Sequence, residues 1–369
     1  MVVAVGRTFA TALGVLCLVA SQATNAVAGA PFLAGLSSIR TVGSTVPTNG
    51  DVNPYGVAVV PVSSGRLAAG DVLVSNFNAA SNLQGTGTTI VELSSAGRRT
   101  VFAHLDPAHL PGPCPGGVGL TTALSVLPGD FVVVGSLPTR DGTAATAGRG
   151  CLIVLDAGGR AVETLFGAGI AGPWDMTSTA TPGGAALFVT NVLIGTVAAG
   201  GAVVDRGTVL RIDLHIDGSA KPTEVSRTVV ASGFAERTDP AALVIGPTGV
   251  GLAGSTLYVA DSLDNRIAAI PDAVGRTGTA FTGRDVSAGG ALDDPLGLTI
   301  APNGDILTVN GNNGRVVETA PSGAQVAHRL LDASGSPPGA GALFGLAVAP
   351  GGEHLYFVDD VTNTLDLLR

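Results

Sequence analysis

A short apolar run that ends on a small polar residue recurs six times along the chain: VLVSN at 72–76, VVVGS at 132–136, LFVTN at 187–191, LYVAD at 257–261, ILTVN at 306–310 and LYFVD at 355–359. Continuous runs of this length, rich in Val, Leu and Ile, predict strands buried on both faces. Their starts are 60, 55, 70, 49 and 49 residues apart, the spacing of a small sheet repeated along the chain. A second apolar stretch precedes the runs, at 56–61, 123–128, 249–252, 297–302 and 345–350, with a degenerate copy at 175–180. A third follows, at 90–93, 152–156, 209–213, 266–270 and 315–319, and fourth stretches stand at 99–103, 162–166 and 325–331. Four strands per unit and six units predict an all-β, six-bladed β-propeller of four-stranded antiparallel blades, with residues 29–369 as a single domain. A β-helix or a tandem of sandwiches has a different number of strands per period. The last unit runs out after a third strand at 364–368, so the segment 32–42 is the expected donor of its outer strand. Pairing the two chain ends in this way removes the open seam of the ring.

Residues 1–28 read as a secretory leader: Arg7, an apolar stretch over 8–20, and the small-x-small pattern Ala26-Val27-Ala28. The apolar stretch is shorter than the roughly 20 residues of a membrane span, and no later segment is long and apolar enough for one. The expectation is an exported protein, periplasmic or extracellular. Cys17 leaves with the leader, and Leu16 before it does not suit lipidation. Cys114 and Cys151 then remain, and in an oxidising compartment an even number predicts a disulfide. It closes a loop of 37 residues, worth about 3 to 4 kcal/mol by chain entropy.

Composition narrows the functional classes. With 19 Lys+Arg against 28 Asp+Glu the net charge is -9, and no basic run exists, which excludes a nucleic-acid partner. Charged residues are 13 % and hydrophobic residues 46 %, which excludes overall disorder. Gly at 54 and Pro at 22, with only 4 % aromatics, fit many tight turns between short aliphatic strands.

PTGVGL at 247–252, LYVADS at 257–262 and DNRI at 264–267 resemble the NHL repeat, as do PLGLTIAPNGD at 295–305 and NNGRV at 312–316. The same residues are similar to the SMP-30/gluconolactonase, regucalcin and strictosidine-synthase-like six-bladed propellers. The match is strong in blades 4 and 5, fair in blade 6, and only skeletal in blades 1 to 3. Repeat residues report fold rather than activity.

In such a blade the loop entering the inner strand and the loop leaving the second strand lie at one end of the channel, where ligands are expected. The slot just before the inner-strand glycine holds Tyr55, Thr122, Trp174, Thr248, Leu296 and Phe344, and the second strands end on Asn76, Ser136, Asn191, Asp261, Asn310 and Asp359. The resemblance implies a divalent metal held by Glu, Asn and Asp, the latter two in this slot. Here the slot lacks those donors, so no metal or other cofactor is expected unless ligands come from Asp175, Asp293 or Asp294. Tyr55, Trp174 and Phe344 concentrate aromatics at one circular position. They either plug the channel as packing or line an apolar, stacking-capable mouth for a small organic ligand. Tyr258 and Tyr356 lie within second-strand runs and are structural.

His104, Asp106 and His109, in the Pro-rich loop before Cys114, are the candidate acid/base groups, although the spacing of the two histidines has no motif value. His215, His328 and His354 stand alone. There is no GxSxG, SxxK, HExxH or Walker sequence. Long loops at 76–87, 136–150 and 191–207 concentrate on one half of that end, as a partial lid or partner surface, with Arg140, Asp141, Asp205 and Arg206 as their charges. The expectation is a monomeric binding module for a small organic ligand or a protein, acting through Tyr55, Trp174, Phe344, Asn76, Asn191, Asp261, Asn310 and Asp359. The alternative is a hydrolase or lactonase with an atypical site in which His104 or His109 works beside the aromatic mouth.

Overall fold

The six apolar runs are the second strands of six antiparallel sheets. A computed structural model describes residues 1–3, 29–218 and 221–369. Residues 4–28, which include Cys17 and most of the expected leader, lie outside the described residues. Pro31–Arg369 forms one compact unit.

After β1 (Ile39–Ser44), blade 1 consists of β2 (Val52–Val59), β3 (Val72–Asn78), β4 (Thr89–Leu93) and β5 (Arg99–His104). Blade 2 follows with β6 (Leu120–Val126), β7 (Val132–Ser136), β8 (Cys151–Leu155) and β9 (Ala161–Leu165). Blade 3 has β10 (Gly172–Thr181), β11 (Gly184–Val192), β12 (Val204–His215), β13 (Thr223–Asp239) and a short fifth strand, β14 (Leu243–Ile245). Blade 4 has β15 (Pro247–Ala253), β16 (Thr256–Asp261), β17 (Arg266–Ile270) and β18 (Arg284–Ala288). Blade 5 has β19 (Pro295–Ile300), β20 (Ile306–Asn310), β21 (Arg315–Thr319) and β22 (Gln325–Leu330). Blade 6 has β23 (Leu343–Val348), β24 (Leu355–Asp359) and β25 (Thr364–Leu368), and β1 completes it.

Ring closure therefore uses the N-terminal segment, as the missing outer strand requires. β1 pairs antiparallel with β25 from Ile39 opposite Leu368 to Ser44 opposite Thr364. The donor differs in detail from the segment 32–42: Phe32–Gly35 forms a 3-10 turn ahead of the strand. That turn is held by blade 5, where the buried Glu318 accepts the amides of Phe32 at 2.6 Å and Leu33 at 2.8 Å. Leu33 and Leu36 pack there beside Leu307, Val309 and Phe357.

Second strands are buried along their length because each is central in its sheet and covered by both neighbouring blades. Outer strands such as β22 alternate between half-buried and exposed positions. The blades meet most closely at the inner-strand glycines. A Cβ on Gly249 would lie 2.2 Å from the Leu296 carbonyl of the next blade, one on Gly297 1.9 Å from that of Phe344, and one on Gly345 2.1 Å from that of Tyr55. Backbone of the next blade occupies the space of a side chain, so these blades require glycine for clearance, whereas blades 2 and 3 have Ala123 and Asp175 at the same position. Hydroxyls latch the same level: Ser75 donates to the Thr121 carbonyl at 2.7 Å and Thr190 to the Thr248 carbonyl at 2.8 Å.

Cys114 and Cys151 are joined by a disulfide that ties the loop entering blade 2 to the start of β8. Among the described residues no helix is long and apolar enough to cross a membrane.

Replacing Gly297 by alanine pushes two blades apart at their tightest contact. The expected result is a loss of about 1–3 kcal/mol, the usual range for overpacking a dense interior, measured as a lowered urea midpoint with an unchanged slope.

Candidate functional site

In every blade the register of the inner strand against its neighbour shifts across the slot, an irregularity that re-aims the slot side chain. Three aromatic slot residues and one neighbour meet as a result. Tyr55 stacks on Phe344 with ring centroids 3.9 Å apart, stacks on Phe77 at 4.5 Å, and meets Trp174 edge-on at 5.8 Å. All four rings are buried, with Tyr55 and Trp174 only 2 % exposed. Leu137, Val192, Leu243 and Val244 belong to the same apolar cluster, against which Ala144 and Leu193 pack. The aromatics form a layer across the channel, the first of the two roles open to them. Phe77, one residue beyond Asn76 and still within β3, is the member that the slot pattern did not nominate.

The long loops complete this layer. Gln84, from the loop after β3, donates its amide to the carbonyls of Pro240 and Ala241 at 3.2 and 3.3 Å, reaching the β13–β14 turn of blade 3. Thr139 of the next loop donates its amide to the Gly85 carbonyl at 2.9 Å. Leu137, Ala144 and Leu193 are their apolar feet. The loops of blades 1 to 3 thus cover one half of the channel end, and Arg140, Asp141, Asp205 and Arg206 are exposed on them.

Over the other half lies a hollow of about 780 Å³, with Tyr55, Leu296 and Phe344 as its floor. Arg237, Asp239, Asp293, Asp294 and Asp360 give its charged wall. Two of these carboxylates are held in fixed structure. Asp239 accepts from Arg237 at 2.8 Å and from the amides of Ala241 and Ala242, and Asp293 accepts from the side chains of Asn312 and Asn313. Asp294 and Asp360 make no side-chain hydrogen bond among the described residues. Burial, with the charges of Asp293 and Asp239, pushes the Asp294 carboxyl up to about 6. Burial, with Asp359 beside it, pushes Asp360 up to about 7. Burial also holds the Tyr55 phenol well above its ordinary value, with Asp360 adding to the shift.

Backbone conformation contributes to the wall. Asn53 and Asp294 stand two residues before the slot in blades 1 and 5, and both adopt the left-handed region, with φ of 61° and 57°. This conformation is costly for residues other than glycine and least so for Asn and Asp. Gly311 gives the Asp294 carboxylate its room, since a Cβ there would stand 2.6 Å from Oδ2.

The second-strand termini do not ring the mouth as the sequence reading expects. Asn76, Asn191, Asp261 and Asn310 are fully buried and Asp359 nearly so. Asn76 donates to the Thr45 carbonyl, Asn191 accepts the Ala171 amide, Asn310 donates to the Ala291 carbonyl, and Asp359 accepts the Thr362 amide. Asp261 pairs with Arg266 at 2.8 Å. They fasten loops beneath the rim. In blades 4, 5 and 6 it is the following residue, Ser262, Gly311 or Asp360, that lines the hollow. The reading was one residue short, and a one-residue step in an extended chain reverses the face. Ser136, the second-strand end of blade 2, is buried and accepts the Gly119 amide; in the slot, Thr248 is buried and bonded to Ser262 at 2.8 Å, and Thr122 lines the channel below the aromatic layer.

His104 and His109 are not beside the aromatics. His104 ends β5, the outer strand of blade 1, and is exposed. His109 lies in the 3-10 turn Pro107–His109, 82 % exposed, with Nδ1 2.7 Å from Asp106 Oδ2. The pair is a solvated turn, fixed by Asp106 accepting the Ala108 amide. His215 and His328 are exposed and His354 is half-buried.

The divalent metal implied by the resemblance does not fit these residues. Aromatic rings occupy the position where its Asn and Asp donors would stand, and among the described residues no three His, Cys, Asp or Glu converge to hold an ion. Asp175 lines the channel beneath the aromatic layer, whereas Asp293 and Asp294 line the mouth above it.

Replacing Asp360 by asparagine removes a carboxyl that is easier to hold neutral than charged. Its raised value means that the native fold favours the protonated form, so the associated stability is present below pH 4 and is lost as the pH rises through about 7. At pH 8 Asp360→Asn is expected to be the more stable by on the order of 1–2 kcal/mol, as one pKa unit is worth about 1.4 kcal/mol and this part-exposed group keeps some hydration. Its advantage disappears at pH 4, which urea unfolding at the two pH values reads directly.

No protein-family model and no curated protein matches the sequence. Solved structures do match in fold. A gluconolactonase from Xanthomonas campestris superposes with a TM-score of 0.53 at 14 % identity, covering 89 % of this chain and 88 % of that one. A putative gluconolactonase reaches 0.54 at 18 % identity over 92 % and 96 % of the two chains. A calcium-binding protein, regucalcin, from Agrobacterium tumefaciens reaches 0.50 at 14 % identity over 89 % and 93 %. At these identities the likeness is one of architecture: the chain has the six-bladed β-propeller fold.

Proposed function

We propose that the protein binds a small polyhydroxylated ring, a sugar or sugar-lactone type of molecule, in the hollow over Tyr55, Leu296 and Phe344. The observation that carries this reading is the pairing of an apolar floor with two part-buried carboxylates, Asp294 and Asp360, that have no side-chain hydrogen bond among the described residues. Carboxylates accept strongly from hydroxyl groups, while the C–H face of a sugar ring suits an aliphatic and aromatic surface. A hollow of about 780 Å³ lies within the usual range for small-ligand sites.

A second reading, lactone hydrolysis, is favoured by one observation. Asp360 is pushed up to about 7, which suits a general base near neutral pH. In that reaction the Asp360 carboxylate takes a proton from water as the water oxygen bonds to the lactone carbonyl carbon. The ring C–O bond then breaks, and the proton passes to the departing alkoxide. Gluconolactonases with this fold lend the reading weight, and it needs no histidine.

Titration calorimetry with a panel of monosaccharides and aldonolactones tests the proposal. At least one member should bind saturably, with Asp294→Asn and Asp360→Asn each weakening it about tenfold or more, as expected for lost hydrogen bonds to charged groups. Absence of binding across the panel, or binding indifferent to both substitutions, overturns it. Acid release on lactone opening, lost in Asp360→Asn, selects the hydrolase over the binding module.

Action outside the cytoplasm belongs to the same proposal, supported by the composition of residues 1–28 and by the Cys114–Cys151 bridge. Terminal sequencing of the exported protein should begin at Gly29. An intact leader on protein confined to the cytoplasm would contradict it.

A further inference from the structure

Beneath the aromatic layer the channel opens again into a cavity of about 480 Å³, walled by the inner strands of all six blades. Its wall mixes aliphatic side chains, among them Val57, Leu124, Met176, Leu298 and Leu346, with hydroxyls such as Ser125 and Thr299 and with strand backbone. Wall residues pass from buried at Asp175, Val250 and Leu298 to half-exposed at Leu252, Ile300 and Ala347. The cavity therefore opens on the face opposite the mouth and is blind under Tyr55 and Trp174.

Asp175, at the blind end, is the one charged side chain among the residues described as lining this cavity. It stands where blades 1, 4, 5 and 6 have Gly56, Gly249, Gly297 and Gly345 and blade 2 has Ala123. The repeat therefore does not ask for a carboxylate. Asp175 is 8 % exposed, and its Oδ2 accepts the Val250 amide of the next blade at 3.1 Å. No charged side chain acts on it; burial pushes its carboxyl up to about 7, opposed only by the amides of Val250 and Met176. An asparagine oxygen would accept the Val250 amide without the cost of burying a charge. What aspartate alone adds is a negative charge at the blind end of a chamber with no other charged side chain among its lining residues.

We propose that this lower chamber is a second ligand site, separate from the mouth, for a molecule with a compact apolar body and one protonated amine. The ammonium donates to the Asp175 carboxylate at the blind end, and the apolar body lies against the Val57, Leu124, Met176, Leu298 and Leu346 side chains toward the opening. The chamber volume is within the range of small-ligand pockets. A paired ammonium supplies the counter-charge that the fold leaves out, and a desolvated pair is far less screened than one at the surface.

The probes are cyclohexylmethylamine and the neutral cyclohexylmethanol, titrated into the intact protein by calorimetry. At pH 8.5 the amine should bind at least tenfold more tightly than the alcohol. Between pH 8.5 and 5.5 that preference should fall about 30-fold, following protonation of a carboxyl with its midpoint near 7. Asp175→Asn, which keeps the acceptor for Val250, should bind the amine no better than the alcohol. Location is read independently from Met176, one of only two methionines in the sequence. With ¹³C-methyl methionine labelling its resonance should shift on adding amine. If the variant does not fold, wild-type protein at pH 7 should still release a fraction of a proton as amine binds, seen as buffer-dependent enthalpy. Equal binding of amine and alcohol, amine preference retained in Asp175→Asn, an unmoved Met176 methyl, or no proton release would each overturn the proposal.

Discussion

The inner strands approach so closely that the carbonyl of one blade lies where a side chain of its neighbour would begin. Gly249, Gly297 and Gly345 carry this contact, and the rest of the channel follows from it. At these positions the inner strands also slip in register, which re-aims the side chain just before the contact. Where the residue at that place is Tyr55, Trp174 or Phe344, the rings meet and, with Phe77, close the bore. A propeller whose glycines were merely flexible linkers would not position aromatics in this way. The conformational freedom of glycine matters less here than its lack of a Cβ.

The aromatic layer divides the channel into two environments. Above it, the mouth combines a small apolar floor with several carboxylates and one arginine. Below it, a chamber of mixed aliphatic and hydroxyl side chains contains one carboxylate. Low local dielectric raises both Asp360 and Asp175 toward neutrality, though by different surroundings. Asp360 has the neighbouring charge of Asp359, while Asp175 is shifted by burial alone against two amide donors. Both groups sit at places that break the repeat, Asp360 as the second residue of an Asp-Asp pair after β24 and Asp175 in a glycine position.

Much of the architecture was legible because a buried central strand leaves an unambiguous trace. The runs beginning at Val72, Val132, Ile306 and Leu355 start at the observed strand boundaries. Blade 3 was the least readable. Its outer strand, Thr223–Asp239, is long, interrupted by bulges against β12 and exposed over its first residues, so it shows neither a clean apolar run nor steady alternation. The site was harder than the fold. Tyr55, Leu296 and Phe344 were found as a circular set because the following glycine marks their phase. Asp360 was missed because strand ends carry no such mark, and the polar residue that closes each run, Asp359 among them, turns inward to hold its own loop. Arg237 and Asp239 come from the extra β13–β14 turn, which no repeat pattern announces.

Completion of blade 6 by β1 has a bearing on how the molecule is made. The strand Ile39–Ser44 is synthesised first among all the strands, yet its partner Thr364–Leu368 is made last. Through nearly the whole of translation the growing arc has two unpaired edges, and the Phe32–Gly35 turn waits for Glu318 of blade 5. A chain truncated before β25 would be left as an open arc with unsatisfied backbone at its ends, a template for pairing with another chain. The same feature that seals the finished ring thus makes its unfinished form adhesive, and puts a premium on keeping the nascent polypeptide apart from its copies until the final strand is available.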